Sequence, residues 1–441
     1  MEWWRSGEYG RLQEAEVSSM LPTVTIVILN YNGRDLLPHC LESIFALDYP
    51  QDQLEVILVD NGSSDGSAHY VALNFPTVRV IGLPTNVGFA KGNNLGARAA
   101  RSEYVAFLNN DMRVDQRWLL ELVQTIQKSD DVAAVGSKIL SWDGSEIDFI
   151  GGTLNFYGMG FQPTDQSQHG DDCVREVLFA CGGALLARRS VFLESGGFDE
   201  DFFAYFEDVD WGWRLWILGY RVLLQPKAIA YHRGHATGKK FAAEQRAVLY
   251  ERNALYMIIK NYEESTLERI LPVALLLTAK RSSLLSGCDK RTFRMGNEVQ
   301  PHSIWPASRG PALLIRSSLR REFKQLLEEF GVWAVLKEAI RRILRWFYAR
   351  TVLQIRRDVA VIPRVALSPL MALDDLAEAL PDVWRRREEI QRRRVRSDAE
   401  ILPLFGDPFH PHPPDPLYFD LQQRLVSLFH INDFFKNSGH G

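Results

Sequence analysis

The sequence has few cysteines and no long hydrophobic run, and each shortage excludes a class of protein. Its 441 residues include only four cysteines, and no two of them have CxxC spacing. Neither a disulfide framework nor a zinc knuckle is therefore predicted, and a reducing compartment fits. The longest apolar stretch of the second half, residues 270–278, is well short of the roughly 20 residues that span a bilayer. We predict no transmembrane helix.

An excess of positive charge is also missing. The net charge is -4, from 51 basic and 55 acidic residues, so the chain lacks the overall basic field of a nucleic-acid binder. Residues 1–16 have no basic segment followed by an apolar run, which a signal peptide would need. We therefore expect no nucleic-acid partner and a cytoplasmic location.

Short apolar strands alternate with amphipathic helices from residue 23 onward. The strands are predicted at 24–29, 54–59, 78–81, 104–108 and 132–135, and the helices at 36–45 and 116–128. Continuous apolar strands separated by helices indicate an α/β fold, with a mostly parallel sheet covered by helices on both faces. Ligands of such sheets bind at the carboxyl ends of the strands, so the polar residues after each strand are the first candidates for chemistry.

The composition changes after about residue 261, where long arginine-rich helical segments begin. We predict an N-terminal extension (1–20), a catalytic domain (21–260), a basic amphipathic helical region (261–402), and a proline-rich connector with a terminal amphipathic segment (403–441). Around residues 340–347, apolar side chains occupy one helical face and arginines the others. Such a helix either lies on an anionic membrane surface, where each cation contributes roughly 1 kcal/mol, or packs on the catalytic domain.

Two turns after predicted strands contain candidate nucleotide ligands. Asp60 and Asn61 follow the second strand, and Asp60 either accepts a hydrogen bond from a pyrimidine base or only caps the turn. Asn86 and Gly88 precede a helix whose start suits a diphosphate. The glycines farther along that helix are explained by close packing on the sheet.

A third turn is a candidate metal site. Asn109, Asn110 and Asp111 end the fourth strand with one acidic residue, which either holds Mg²⁺ or Mn²⁺ against a diphosphate or belongs to an ordinary turn. His232 follows another predicted strand at 228–230, and its imidazole suits Mn²⁺ if it lies near Asp111.

Three acids lie among aromatic residues at 202–214, at the start of a predicted helix. These are Glu207, Asp208 and Asp210. A carboxylate in this position serves as a general base, typically worth about 10² to 10⁴ in rate. Alternatively, the acids stabilise the helix N-terminus and Asp210 pairs with Arg214, which contributes only roughly a few tenths of a kcal/mol.

Seven motifs, taken in order, resemble the family 2 glycosyltransferases with the GT-A fold, particularly bacterial rhamnosyltransferase-like members. They are VTIVILNYN, VDNGSSDG, NVGFAKGNN, FLNNDM, CGGALLARR, GGFDE and YFEDVDWGWR. The resemblance spans roughly residues 23–235. It implies an inverting transfer from a nucleoside-diphosphate sugar, either a dTDP- or a UDP-sugar, to a glycan or lipid-linked acceptor in cell-envelope polysaccharide synthesis.

The resemblance also assigns roles to residues. Asp208 matches the general base, and Asp111 and His232 match metal ligands. The residues expected to bind the donor are Leu29, Tyr31, Asp60, Asn61, Asn86, Gly88, Asn93, Asn109, Asn110 and Gly183. Those expected to bind the acceptor are Gly182, Glu207 and Trp211. Asn109 and Asn110 stand where many members carry acids, which weakens the case for strict metal dependence.

Two other functional classes remain as alternatives. A noncatalytic sugar-nucleotide-binding or scaffold protein would keep the fold, but the presence of Asp111 and Asp208 argues against it. A nucleotidyltransferase would need a glycine-rich, lysine-containing loop after the first strand, where the chain reads NYNGR. The QxxRW motif of processive family members is missing after Asp208, so we expect one sugar per encounter.

Overall fold

The computed structural model describes residues 21–162, 173–234, 242–287 and 362–436. The strands are β1 Val24–Asn30, β2 Leu54–Asp60, β3 Arg79–Gly82, β4 Tyr104–Asn109, β5 Met112–Val114, β6 Val132–Ser141, β7 Ile147–Phe149, β8 Thr153–Leu154, β9 Gly160–Phe161, β10 Arg175–Glu176, β11 Ala184–Arg188 and β12 Arg221–His232. The N-terminal extension and the basic amphipathic pattern at 340–347 lie outside these residues.

The helices divide between the α/β part and the C-terminal part. They are α1 Leu37–Phe45, α2 Ser67–Asn74, α3 Phe89–Ala99, α4 Trp118–Ile126, α5 Arg189–Glu194, α6 Glu207–Ile217, α7 Ala243–Asn261, α8 Glu264–Ser286, α9 Arg364–Arg392, α10 Asp398–Ile401, α11 Pro416–Leu428 and α12 Asn432–Phe435. Every predicted strand and helix in residues 23–135 begins within two residues of its predicted start.

A mixed, mostly parallel sheet forms the centre of the fold. Its main strand order is β10-β12-β6-β11-β4-β1-β2-β3, with β5 paired to β12 and β7 paired to β6. The strands β12, β6, β4, β1, β2 and β3 run in one direction, whereas β11 is antiparallel to both β4 and β6. The predicted α/β architecture is confirmed, with this inserted antiparallel strand as the feature that the sequence analysis did not include.

Helices cover both faces of the sheet, which explains why its central strands are almost entirely apolar. One core cluster includes Leu37 of α1 and Trp118 of α4, and the other includes Phe198 and Trp213 on the opposite face. The helix α3 lies directly on β1, because a Cβ atom at Gly92 or Gly96 would collide with an apolar side chain of that strand. The predicted packing role of these two glycines is confirmed.

The described C-terminal helices pack on the α/β part and share its core. Apolar side chains from α8, α9 and α11 belong to the same buried cluster as the sheet residues. Arg387 of α9 donates a hydrogen bond to the Ile259 carbonyl at 2.7 Å and reaches Glu264 at 2.7 Å. Within the described ranges, no helix combines the length and the apolar character needed to cross a membrane.

Candidate active site

A cavity of about 580 Å³ opens at the carboxyl ends of β1, β2 and β4, the edge where the sequence analysis placed the chemistry. Most of the predicted site residues line it. They are Leu29, Tyr31, Asn61, Asn86, Gly88, Asn109, Asn110, Asp111, Gly182, Gly183, Glu207, Asp208 and His232. One open site therefore brings together candidate donor, metal and acceptor residues that lie up to about two hundred positions apart in the chain.

Asn61 holds the turn that forms one side of this cavity. Its Nδ2 donates to Asn86 Oδ1 at 2.9 Å and to the Gly88 carbonyl at 3.2 Å, and its Oδ1 accepts from the Val87 amide at 2.8 Å. Gly88 has a φ of 90°, and a Cβ atom there would lie 2.6 Å from the Phe203 carbonyl oxygen. Only glycine fits this turn, because both the backbone angle and the space exclude a side chain.

Three predicted binding residues, Asp60, Asn93 and Trp211, do not line the cavity. The buried carboxylate of Asp60 accepts hydrogen bonds from Asn30 Nδ2 at 3.0 Å and the Ser63 amide at 3.3 Å, the turn-capping geometry of the alternative interpretation. Asn93 donates to the Phe89 carbonyl within α3 at 3.1 Å.

The acceptor role predicted for Trp211 needs correction. Its ring packs edge-on against Phe192 and its Nε1 donates to Ser195 Oγ at 2.9 Å, in the core. The residue lies almost one helical turn beyond Asp208, where α6 has left the cavity and packs beneath it. The aromatic residues of this segment that do line the cavity, Phe203, Tyr205 and Phe206, precede the helix.

Asp111 and His232 converge, as the metal hypothesis requires. His232 Nε2 lies 3.6 Å from Asp111 Oδ2, while its Nδ1 lies 2.6 Å from Asp148 Oδ2. Burial lowers the pKa of His232, but hydrogen bonds and charges from the two aspartates outweigh burial and raise the pKa to about 9. A carboxylate on the second ring nitrogen is the usual way in which a protein orients a metal-binding histidine.

Asp111 and His232 fit a divalent cation that takes its remaining ligands from a bound diphosphate and from water. In the described ranges, no group of three or more His, Cys, Asp or Glu residues forms a complete protein cage. Mg²⁺ and Mn²⁺ sites at phosphates commonly use only one or two carboxylates and fill the remaining positions with phosphate oxygens and water. One carboxylate and one imidazole are sufficient on this basis.

Asp208 lies at the start of α6 and faces the cavity. Its Oδ2 accepts from the Gly182 amide at 2.8 Å, and its Oδ1 accepts from the Val209 amide at 2.8 Å. Burial raises the pKa of Asp208, while the two backbone N–H groups oppose that increase. A carboxylate with a raised pKa that remains hydrogen-bonded and oriented has the properties of a general base.

Glu207 is the neighbouring acid, and its environment differs. The residue is 6 % exposed, and among the described residues its Oε2 has no hydrogen-bond partner. Burial first, and then the negative charge of Asp208, raise the pKa of Glu207 well above its ordinary value. Because Asp208 accepts two backbone hydrogen bonds and Glu207 Oε2 has no partner among the described residues, the neutral form is favoured more strongly at Glu207 than at Asp208.

The Glu207→Gln variant should therefore keep its transfer rate within about fivefold, because an amide replaces a carboxyl group in its favoured neutral form and changes the hydrogen bonding by less than about 1 kcal/mol. Its stability should respond to pH in a defined direction. Because the pKa of Glu207 is raised in the folded state, this group stabilises the wild-type fold. The gain in the free energy of unfolding is complete below the unfolded-state pKa of about 4.3 and is lost as pH rises towards the folded-state pKa. Melting curves at pH 5 and 8 should show that the melting temperature of the variant, relative to that of wild type, is higher at pH 8 than at pH 5. A loss of transfer as large as that of an Asp208 variant would contradict the neutral assignment.

The aromatic loop, residues 202–206, forms the other side of the cavity. Phe203, Tyr205 and Phe206 have φ angles of 62°, 72° and 68°, a left-handed conformation that costs roughly 1–2 kcal/mol for each residue with a side chain. Tyr205 stacks on Tyr250 of α7 with ring centroids 4.5 Å apart. Such a wall suits the apolar face of a sugar ring.

Sequence reasoning missed the contribution of α7. Arg246 and Tyr250 line the cavity, and they are four residues apart on one helical face. This spacing was visible in the sequence, but the motif series ended before α7 and gave no reason to link the helix to the site.

Comparison with known proteins identifies the α/β part. Residues 25–195 match the model of Glycosyl transferase family 2. This part of the chain belongs to that family. Six of the seven motifs named from the sequence contribute residues to the cavity, GGFDE being the exception, and the sheet with its flanking helices is the GT-A fold.

Two curated relatives are bacterial. The chain is 28% identical over 254 residues to N-acetylglucosaminyl-diphospho-decaprenol L-rhamnosyltransferase of Mycobacterium tuberculosis, covering 52% of this chain and 82% of that protein. It is 31% identical over 228 residues to the O-antigen biosynthesis protein RfbC of Myxococcus xanthus, covering 49% of this chain and 18% of that protein. Among solved structures, a mannosyltransferase of Pyrobaculum calidifontis in complex with GDP-Man and Mn²⁺ is similar with a TM-score of 0.42 and 17% identity, covering 89% of this chain and 88% of that one.

Proposed function

We propose that this glycosyltransferase moves a sugar from a nucleoside diphosphate to a hydroxyl group of a glycan or lipid-linked acceptor, with inversion at the anomeric carbon. The observation that carries the proposal is the shared cavity, which has the oriented carboxylate of Asp208 on one side and the Asp111–His232 pair on another. The rhamnosyltransferase relative makes a dTDP- or UDP-linked rhamnose the first donor to test, and cell-envelope polysaccharide synthesis the first process.

Asp208 is the base in the proposed reaction. Its carboxylate takes the proton of the acceptor hydroxyl as that oxygen bonds to the anomeric carbon, and the bond from this carbon to the diphosphate breaks. Glu207, in its neutral form, would donate a hydrogen bond to a sugar hydroxyl of the acceptor. Asn61 and Gly88 shape the turn against which the nucleotide would lie.

Asp111 and His232 are the residues that would hold a divalent cation. When bound, Mg²⁺ or Mn²⁺ would supply positive charge beside the departing diphosphate. Asp148 would keep the His232 ring oriented towards Asp111 through its contact with Nδ1.

Calorimetric titration with a panel of nucleoside-diphosphate sugars, with and without Mn²⁺ or Mg²⁺, tests the donor and the metal together. We expect one donor to bind tightly only with metal. Asp111→Asn should weaken that binding by at least about tenfold and remove its metal dependence. Asp374→Asn makes the same change at an exposed position on α9 and should bind like wild type. No binding of any donor would favour a noncatalytic scaffold.

The proposed acceptor also bears on whether the enzyme contacts a membrane. A lipid-linked acceptor would bring the enzyme to the inner face of the membrane as a peripheral protein. The basic amphipathic segment around residues 340–347 is the candidate contact, and its contact with anionic lipid stays a prediction from sequence. Cosedimentation with anionic but not neutral vesicles would check it.

A further inference from the structure

The aromatic loop that leads into Asp208 is held by a side chain from α7. Asn253 is fully buried, and its Nδ2 lies 3.1 Å from the carbonyl oxygen of Phe202, 2.9 Å from that of Ala204 and 2.7 Å from that of Tyr205. The two N–H donors of this amide thus serve three carbonyl groups, one donor being shared between two of them, in a loop whose left-handed backbone is unfavourable by itself.

The orientation of this amide is fixed by its neighbour. Asn253 Oδ1 accepts from Arg252 Nε at 3.0 Å and from Nη2 at 2.9 Å. Arg252 also donates directly to the carbonyls of Asp201 and Phe202, at 2.9 and 3.2 Å. Because donors surround Oδ1 and acceptors surround Nδ2, only one placement of the amide satisfies the hydrogen bonds.

The same loop contacts the donor side of the cavity. The Phe203 carbonyl accepts from the Phe89 amide at 2.5 Å and the Ala90 amide at 3.3 Å, at the start of α3. Gly88 lies against this carbonyl as well. The loop therefore connects α7 to the turn that Asn61 holds, and its position determines the spacing between the two sides of the site.

We propose that Asn253 is a positioning residue that sets the acceptor side of the active site. By holding the aromatic loop, it places Tyr205 against Tyr250 and fixes the start of α6, from which Asp208 projects. The residue lies outside the segment that matches the family, residues 25–195. The kinetic part of the inference rests on the proposed sugar transfer, whereas the structural part does not.

Asn253→Asp tests the inference, because it replaces the donating NH₂ by an oxygen of nearly the same size that repels the three carbonyls. Hydrogen–deuterium exchange should become at least about tenfold faster for the amides of residues 203–210 and of Phe89, with the strands unchanged. The acceptor kcat/KM should fall about a hundredfold, as for a displaced reacting group, while the donor Kd stays within about threefold. Asn74→Asp, the same change at the exposed end of α2, should match wild type in both measurements.

Arg252→Lys provides a milder variant if the aspartate prevents folding. A lysine keeps the charge but lacks the planar guanidinium that contacts Oδ1 through both Nε and Nη2, so we expect faster exchange in the same loop and a smaller loss of acceptor kcat/KM. Unchanged loop exchange in a folded variant would overturn the inference. If wild type transfers no sugar, the proposed function fails, and the exchange measurement still decides whether Asn253 holds the loop.

Discussion

Asp208→Asn should reduce sugar transfer by at least about a hundredfold while leaving donor binding near normal. The amide oxygen of the variant still accepts from the Gly182 amide, which Asp208 Oδ2 does at 2.8 Å, so the fold around Gly182 should persist. The variant loses the ability to take a proton from the acceptor, together with the hydrogen bond that Asp208 Oδ1 accepts from the Val209 amide. Product formation measures the first effect and calorimetry with the donor measures the second.

The control for this variant is Asp48→Asn, the same change at an exposed residue after α1. It should transfer sugar at the wild-type rate. Unchanged turnover in Asp208→Asn would remove this residue from the role of base. Loss of donor binding together with turnover would instead indicate a structural role for the carboxylate, since Gly182 and Val209 both depend on it.

Wild-type transfer should also decline on the acid side at a higher pH than an ordinary aspartate would give. The cause is burial, which raises the pKa of Asp208 and so protonates the base earlier as pH falls. The same experiment tests this acid-side decline in rate, because the decline should be missing from the residual activity of the Asp208→Asn variant.

The sheet and most of the cavity were predictable because their signals are local. The strand Val24–Asn30 is a continuous apolar run, and the turn residues Asn61 and Asp111 directly follow strands. Once the sheet is parallel, its geometry alone brings these turns to one edge. The position of Asp111 at the cavity follows from this reasoning, whereas Asp208 was expected there from the resemblance, and the structure places both there.

The remaining features depend on contacts between distant segments. Ala184–Arg188 runs antiparallel between β4 and β6, which no period in its own sequence shows. Trp211 is aromatic, as are Tyr205 and Phe206, which line the cavity, so residue type does not distinguish them. Only the path of α6 shows that Trp211 lies in the core and not at the cavity. Asn253 acts on a loop about fifty residues earlier, so its importance is invisible without the fold.

The Asp210–Arg214 pair shows how burial changes the energy expected from a sequence pattern. At four-residue spacing, an exposed pair contributes only roughly a few tenths of a kcal/mol. The structure instead leaves the Asp210 side chain 0% exposed and the Arg214 side chain 7% exposed, with Nε and Oδ2 2.8 Å apart. Lys260 lies 2.9 Å from the other carboxylate oxygen and is also buried. The estimate made for a solvated helix face is therefore wrong for this pair.

Asp210→Asn should destabilise the protein by about 3–5 kcal/mol, because it leaves buried cations without a compensating charge. Of the two buried cations, Lys260 retains Asp199 as a partner, but Asp199 is already shared with Arg386. The midpoint of urea unfolding should fall accordingly, provided the variant folds well enough to be measured. Asp420→Asn is a matched control, since Asp420 pairs with Arg424 at the same spacing on the exposed face of α11, and its cost should stay within about 1 kcal/mol. Equal midpoints for the two variants would mean that water reaches the Asp210 cluster and screens it, contrary to the burial seen in the fold.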